Sequence, residues 1–189
     1  MRKEYRLIHN ENLCIGCQGC SVACRSENAV TDGVYRLQVQ TKVSGKFPNL
    51  KMDFIRHSCA MCDDAPCVSV CPTGASFQTA DGLVLLDRSI CVSCKYCILA
   101  CPYDARYVEP KTGEIDKCTF CFETRVSLGE KPACVTVCPT NALAFGDIND
   151  PKSEVSKILN IKSHYYPKAE LKTKPRLAMI ANRKGGSHE

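Results

Sequence analysis

The chain has 189 residues, 16 of them cysteine, with no tryptophan and only 7% aromatics. That composition excludes a large conventional core and leaves three classes: a disulfide scaffold, a zinc protein or an iron–sulfur protein. Mean hydropathy is −0.17, and no apolar run approaches the roughly 18 residues a bilayer span requires. The net charge of +5 lies wholly in residues 150–189, because residues 1–149 carry equal numbers of acidic and basic side chains. This tail lacks basic runs interleaved with aromatics, so nucleic acid is not an expected partner, and it reads as an arm lying on another protein. The start, Met1-Arg2-Lys3-Glu4-Tyr5-Arg6, has no apolar stretch and no twin arginine. Folding is therefore expected in the cytosol, where eight disulfides would not persist.

In chain order, the first element is a loop spaced Cys14-x2-Cys17-x2-Cys20-x3-Cys24. Residues 25–58 form an insertion, in which Val34–Val43 alternates well and Leu50–Arg56 loosely, around a turn at Ser44–Asn49. A hairpin is expected there. The second group is Cys59-x2-Cys62-x4-Cys67-x3-Cys71-Pro72, after which Ala75–Thr79 and Leu83–Asp87 flank an Asp81-Gly82 turn and read as a hairpin. The third is Cys91-x2-Cys94-x2-Cys97-x3-Cys101-Pro102, followed by strands Ala105–Val108 and Ile115-Asp116 around a turn near Pro110–Gly113. The fourth, Cys118-x2-Cys121-x12-Cys134-x3-Cys138-Pro139, encloses Phe122–Ala133, expected to be a helix or lid ending at Gly129. A strand at Ala142–Phe145 follows. The tail from Asn149 opens with a short helix, Ser153–Leu159, and then runs extended through Pro167 and Pro175 to Gly185-Gly186.

The spacing carries the chemistry. Thiolates at i, i+3 and i+6 of a tight loop can wrap three corners of a cubane, while the fourth lies one helical turn further on and points elsewhere. In two-cluster ferredoxins that last cysteine ligates the neighbouring cluster. Zinc sites pair two Cys-x2-Cys units, or cysteine with histidine, which would leave Cys20, Cys67 and Cys97 surplus. His9, His57, His164 and His188 show no ligand spacing. Sixteen ligands at four per cluster imply four [4Fe–4S] clusters, and an apoprotein largely unfolded without them.

The second and third quartets are adjacent and joined by one hairpin, so they should form one two-cluster unit, and the first and fourth then pair by exclusion. The expected sets are Cys14, Cys17, Cys20 with Cys138; Cys118, Cys121, Cys134 with Cys24; Cys59, Cys62, Cys67 with Cys101; and Cys91, Cys94, Cys97 with Cys71. Pairing the first quartet with the second is the alternative, and it ignores the nesting of the repeat. The fold expected is α+β: two pseudo-symmetric dicluster ferredoxin-like units, residues 1–24 plus 110–149 and residues 59–109, with the hairpin insertion 25–58 and a basic arm 150–189 that contacts a partner.

Four stretches make the sequence recognisable: Glu11–Asn28 (ENLCIGCQGCSVACRSEN), Cys67–Ala75 (CVSVCPTGA), Cys97–Pro110 (CILACPYDARYVEP) and Ala133–Asp150 (ACVTVCPTNALAFGDIND), together with the tail Thr173–Gly186 (TKPRLAMIANRKGG). They resemble the iron–sulfur subunits of molybdopterin oxidoreductases, those of polysulfide and thiosulfate reductases above all. The resemblance implies an electron-transfer subunit between a molybdopterin catalytic subunit and an integral-membrane, quinol-oxidising subunit. It implies clusters in the order of the first, fourth, second and third quartets, from catalytic subunit to membrane, with the ligand pairing given above. It also implies membrane association through the partner, on the periplasmic face after export with a twin-arginine-bearing catalytic subunit, or else on the cytoplasmic side.

No nucleophile constellation, phosphate loop or pterin motif is present, so no catalytic residue is assigned. Lys95 beside Cys94 would raise a cluster potential and Asp63 and Asp64 would lower theirs, unless all three are simply solvated. His57 reads as a strand-end residue, and Arg25, Arg106 and Lys117 as hydrogen-bonding or docking residues. A soluble polyferredoxin and a zinc-stabilised interaction module are the competing readings, separable by co-purification of a molybdenum-containing chain and by metal analysis.

Overall fold

Ligand spacing sets the length of the helices. In the computed structural model, which describes residues 2–182, three helices have only four residues each: α2 (Pro66–Ser69), α3 (Tyr96–Leu99) and α4 (Ala133–Thr136). Each is followed within three residues by a Cys-Pro pair, and a residue before proline is pushed out of the helical region. Only α1 (Gly19–Asn28), whose quartet lacks that proline, extends to ten residues. Met1 and residues 183–189, including the Gly185-Gly186 end of the tail, lie outside the described residues.

The strands are β1 (Tyr5–Asn10), β2 (Leu37–Lys46), β3 (Asn49–Ser58), β4 (Ser76–Gln78), β5 (Val84–Leu86), β6 (Arg106–Val108), β7 (Ile115–Lys117), β8 (Leu143–Asp147) and β9 (Leu177–Ile180). Three antiparallel pairs, β2–β3, β4–β5 and β6–β7, stand as separate ribbons, and β8-β1-β9 forms a three-stranded sheet. The mixed helix and strand content is α+β. The insertion is a hairpin longer than the alternation suggests, in register from Leu37 opposite Ser58 to Lys46 opposite Asn49, with Phe47-Pro48 alone at the turn. Between Phe122 and Ala133 there is a single 3-10 turn, Val126–Leu128, closed by Gly129 at φ 84°.

The short helix expected at Ser153–Leu159 is present, and the tail beyond it packs on the chain itself through residues 177–180. Helix α5 (Glu154–Ile161) buries Val155 against Ile8, Ala144 and Ala178. Strand β9 pairs in parallel with β1, Leu7 opposite Leu177 and Asn10 opposite Ile180. All four residues of β9 are buried, as a strand covered on both faces must be apolar throughout. Strand β1, read from sequence only as a charged start, is the centre of this sheet. Its Leu7 is fully buried and its Ile8 nearly so.

Helix α1 packs on α4, and α2 on α3. The main core runs through both neighbourhoods and contains Leu7, Leu37, Met61, Leu83, Ile115, Phe120 and Phe145 together with buried cysteines, among them Cys24, Cys59, Cys118 and Cys134. No described helix is long and apolar enough to cross a membrane.

Candidate metal centres

The third cysteine of each quartet sits on a short helix, Cys20 on α1, Cys67 on α2, Cys97 on α3 and Cys134 on α4, and the two before it come from the preceding loop. The first loop is shaped by Gly16, at φ +68°, where a Cβ would lie 2.5 Å from the Phe54 ring. Gln18 opens α1 and ties it to the inserted hairpin: its Nε2 donates to the Val39 carbonyl at 2.6 Å, and the Val39 N–H donates to Oε1 at 3.3 Å. The Ser21 hydroxyl donates to the Leu37 carbonyl at 2.8 Å.

One cavity is lined by Cys14, Cys17, Cys20 and Cys138, with His9 and Arg56 in its wall. A second is lined by Cys59, Cys62, Cys67 and Cys101, with Tyr103 and Arg106 in its wall. Each thus joins three thiols of one quartet to the last thiol of another. The Cys24 thiol has Cys118, Cys134 and Cys121 as its charged neighbours, and the Asn28 amide lies 3.8 Å from both the Cys24 and the Cys121 sulfurs. Cys97 has Cys67 and Cys71 as neighbours. Cys118, finally, lies within electrostatic reach of Cys59, which links the two halves. Among the described residues no three His, Cys, Asp or Glu side chains converge tightly enough to hold a single ion; eight of the thiols border the two cavities instead.

Their chemistry suits a positively charged guest. Burial, reinforced by other thiols nearby, pushes Cys20 and Cys118 up to about 11 and Cys62 up to about 12. Such thiols ionise only when a metal supplies the compensating charge. Cys71 differs: what little burial it has raises it, but the Ser76 N–H at 3.3 Å and the Thr73 hydroxyl outweigh this and lower it. The sulfur donor set, the shared cavities and the dry surroundings all fit iron–sulfur clusters.

Other residues singled out in the sequence fall into structural roles. Asp63 accepts from Arg176 Nε at 2.6 Å and from Arg6 Nη1 at 3.3 Å, and Asp64 pairs with Lys174 at 2.8 Å. Their charges are answered locally and anchor the tail, so neither is a free negative charge beside a cluster site. Lys95 is exposed and opens α3 at φ 67°. Arg25 braces residues 32–35, pairing with Asp32 and lying 5.2 Å over the Tyr35 ring. His57 is the penultimate residue of β3. Lys117 is fully buried and donates to the carbonyls of Val84 and Cys118. Arg106 does more, donating to the Cys67 sulfur at 3.1 Å and to the Ser76 hydroxyl at 2.6 Å.

Arg56 and His9 were not singled out by sequence reasoning. A signal exists for Arg56: it faces Val39 across the hairpin, in phase with Leu37 and Ser58, so an inward Val39 requires an inward arginine. His9, in a strand whose residues are almost all buried, offers no such cue. Burial first, and the Arg56 charge second, depress His9 to about 3, which keeps its ring neutral.

Residues 50–148 match the family model described as a 4Fe-4S dicluster domain. The chain belongs to the 4Fe-4S dicluster family. Within this iron–sulfur electron-transport family, it is 55% identical to the B subunit of polysulfide reductase from Wolinella succinogenes over 188 residues, 98% of each protein. It is 49% identical to protein NrfC of Escherichia coli K12, over 94% of this chain and 80% of that one. Against the thiosulfate reductase electron transfer subunit PhsB of Salmonella typhi it is 46% identical, over 87% of this chain and 86% of the relative.

Proposed function

We propose that this dicluster protein is the electron-transfer subunit of a polysulfide- or thiosulfate-type respiratory reductase, carrying electrons through four [4Fe–4S] clusters. Its partners are a membrane subunit that oxidises quinol and a molybdopterin catalytic subunit, and membrane attachment runs through the former, on the periplasmic face. The ligand sets are Cys14, Cys17, Cys20 and Cys138; Cys118, Cys121, Cys134 and Cys24; Cys59, Cys62, Cys67 and Cys101; and Cys91, Cys94, Cys97 and Cys71.

One observation carries this reading. Among the described residues only two cysteines, Cys17 and Cys94, are exposed, while Cys24, Cys118 and Cys59 are buried, with Cys118 within electrostatic reach of Cys59 in the other half. Buried thiols in the middle of the chain's fold and exposed ones at two separate loops suit a relay between two partners. When bound, each cluster supplies a site that accepts and releases one electron. The polypeptide holds the sites and keeps water out, with Met61, Leu83, Phe120 and Phe145 packed among the thiols. Tyr103 adds a fixed link, its hydroxyl 2.6 Å from that of Thr173, which ties the Cys101 loop to the tail.

Exposed apolar side chains surround each exposed loop: Leu13, Ile15 and Val22 near Cys17, and Ile90, Val92, Tyr96 and Leu99 near Cys94. The hairpin face that buries Leu37 and Val39 continues outward as exposed Val43, Met52 and Leu50, with Phe47 at the tip 89% exposed. Apolar surface on this scale favours lasting subunit contacts over the passing encounters of a free polyferredoxin.

Anaerobic purification with metal and sulfide analysis tests the reading. About sixteen iron and sixteen labile sulfide per chain are expected, together with co-purification of a larger molybdenum-containing chain and reduction by a quinol analogue in the complex. Four zinc, or a chain that carries its iron but meets no such partner, would replace the reading with the interaction module or the free carrier respectively.

A further inference from the structure

Two arginines remain whose burial the rest of the protein does not answer. Arg56 and Arg106 are each only 4% exposed. Arg56 spends its Nε on the Ser58 hydroxyl at 3.0 Å. Its Nη1 and Nη2, and the Nη1 of Arg106, have no oxygen or nitrogen acceptor among the described residues. A buried guanidinium left this way costs several kcal/mol, and native interiors leave few such groups unexplained.

Their sulfur neighbours supply the explanation. Arg56 lies in the wall of the cavity lined by Cys14, Cys17, Cys20 and Cys138, and within electrostatic reach of Cys134 and Cys118 of a second proposed set. Arg106 lies in the wall of the cavity lined by Cys59, Cys62, Cys67 and Cys101, donates to the Cys67 sulfur at 3.1 Å, and is within electrostatic reach of Cys97 of the fourth set. Each arginine therefore straddles the two sites of one pair. They reach this position by different routes. Arg106 stands on β6, just after Cys101-Pro102, and its bonded partner Ser76 occupies the equivalent step after Cys71-Pro72. The equivalent residue after Cys138-Pro139 is Leu143, and there the inserted hairpin delivers Arg56 instead. Each thiol-bordered cavity thus has one buried arginine in its wall, supplied by unrelated segments of the chain.

We propose that Arg56 and Arg106 are shared counter-ions, each lying between two neighbouring iron–sulfur clusters and raising the reduction potential of both. The inference rests on the four-cluster reading above. Bound clusters with their thiolates carry net negative charge and provide the acceptors the guanidinium groups lack. A fixed cation makes the arrival of an electron at either neighbour easier, and the effect falls off with distance, so each arginine acts on its own pair.

The test uses the full-length chain, purified with its clusters, and an EPR-monitored redox titration of R56Q, R56K, R106Q and R106K. Iron and sulfide counts on the unaltered chain judge the four-cluster reading independently of the midpoints. R56Q should lower two of the four midpoints, with at least about a tenfold fall in the reduced fraction of those clusters at a fixed ambient potential. R106Q should lower the other two, and both lysine variants should stay near the unaltered values. If a glutamine variant sheds about half the iron, full iron and unmoved midpoints in its lysine counterpart still support the proposal. Midpoints unmoved in all four clusters, midpoints moved in all four by one substitution, or lysine variants as altered as the glutamine ones would overturn it.

Discussion

Around α1 and α4 the polypeptide builds a ten-residue helix, a ten-residue-stranded hairpin, a three-stranded sheet and a covering helix. Around α2 and α3 it builds two four-residue helices and two ribbons whose strands have three residues each. Both neighbourhoods gather eight cysteines. Two-stranded ribbons of this length are not stable alone in water, so the α2–α3 region draws far more of its order from whatever its thiols hold. The α1–α4 region has polypeptide to spare, and uses it for tasks the repeat does not provide: the hairpin delivers Arg56, the sheet delivers His9, and the tail returns Arg176 to Asp63.

The largest effect that can break this contrast is removal of the metal. Anaerobic chelation should abolish most native structure, with amide protection lost from β4 to β7 before it is lost from β1 and β8. Simultaneous loss would mean that the sheet contributes no independent order. Next comes Cys71→Ser. Because Cys71 is proposed to complete the site of Cys91, Cys94 and Cys97, the iron content should fall from about sixteen to about twelve per chain, and the EPR signal lost should match that lost in Cys94→Ser and not that lost in Cys67→Ser. A match with Cys67→Ser would undo the exchange of ligands between quartets.

Two smaller effects sharpen the contrast. Arg176→Ala removes the bonds to Asp63 at 2.6 Å and to the Asp81 carbonyl at 2.7 Å, and should destabilise the chain by about 1–3 kcal/mol. The loss should appear as faster chelation of iron from the α2–α3 region, whereas Lys174→Ala, which breaks an exposed pair, should change little. Gly16→Ala forces a left-handed residue against Phe54, a cost of about 1–2 kcal/mol. Thermal unfolding should register it, and the EPR line shape should change only for the cluster of the first loop.

What the sequence discloses follows from how locally each element is determined. The ribbons after Cys71-Pro72 and Cys101-Pro102 are bounded by turn residues and fall where alternation puts them. The inserted hairpin overruns its expected turn because Ser44, Gly45 and Asn49, which look like turn formers, pair across the strands, leaving Phe47-Pro48 alone to reverse the chain. Phe122–Ala133, expected as a helix or lid, winds only at Val126–Leu128 and ends that turn at Gly129, where the sequence puts the close. The sheet is illegible for a different reason. Strands β1 and β9 are buried on both faces and so do not alternate, and each completes a surface the other supplies from the far end of the chain. The surplus of positive charge in residues 150–189 suggests an arm, but Leu177 to Ile180 inside it form a core strand.

That parallel pairing of Leu7 with Leu177 has a consequence for biogenesis. Contacts so remote in sequence form slowly, because the intervening loop must first be closed at an entropic cost. During synthesis the loops carrying all sixteen thiols emerge before β9 does. Strand β9 is thus the last strand made, and it completes the sheet by covering the second edge of β1.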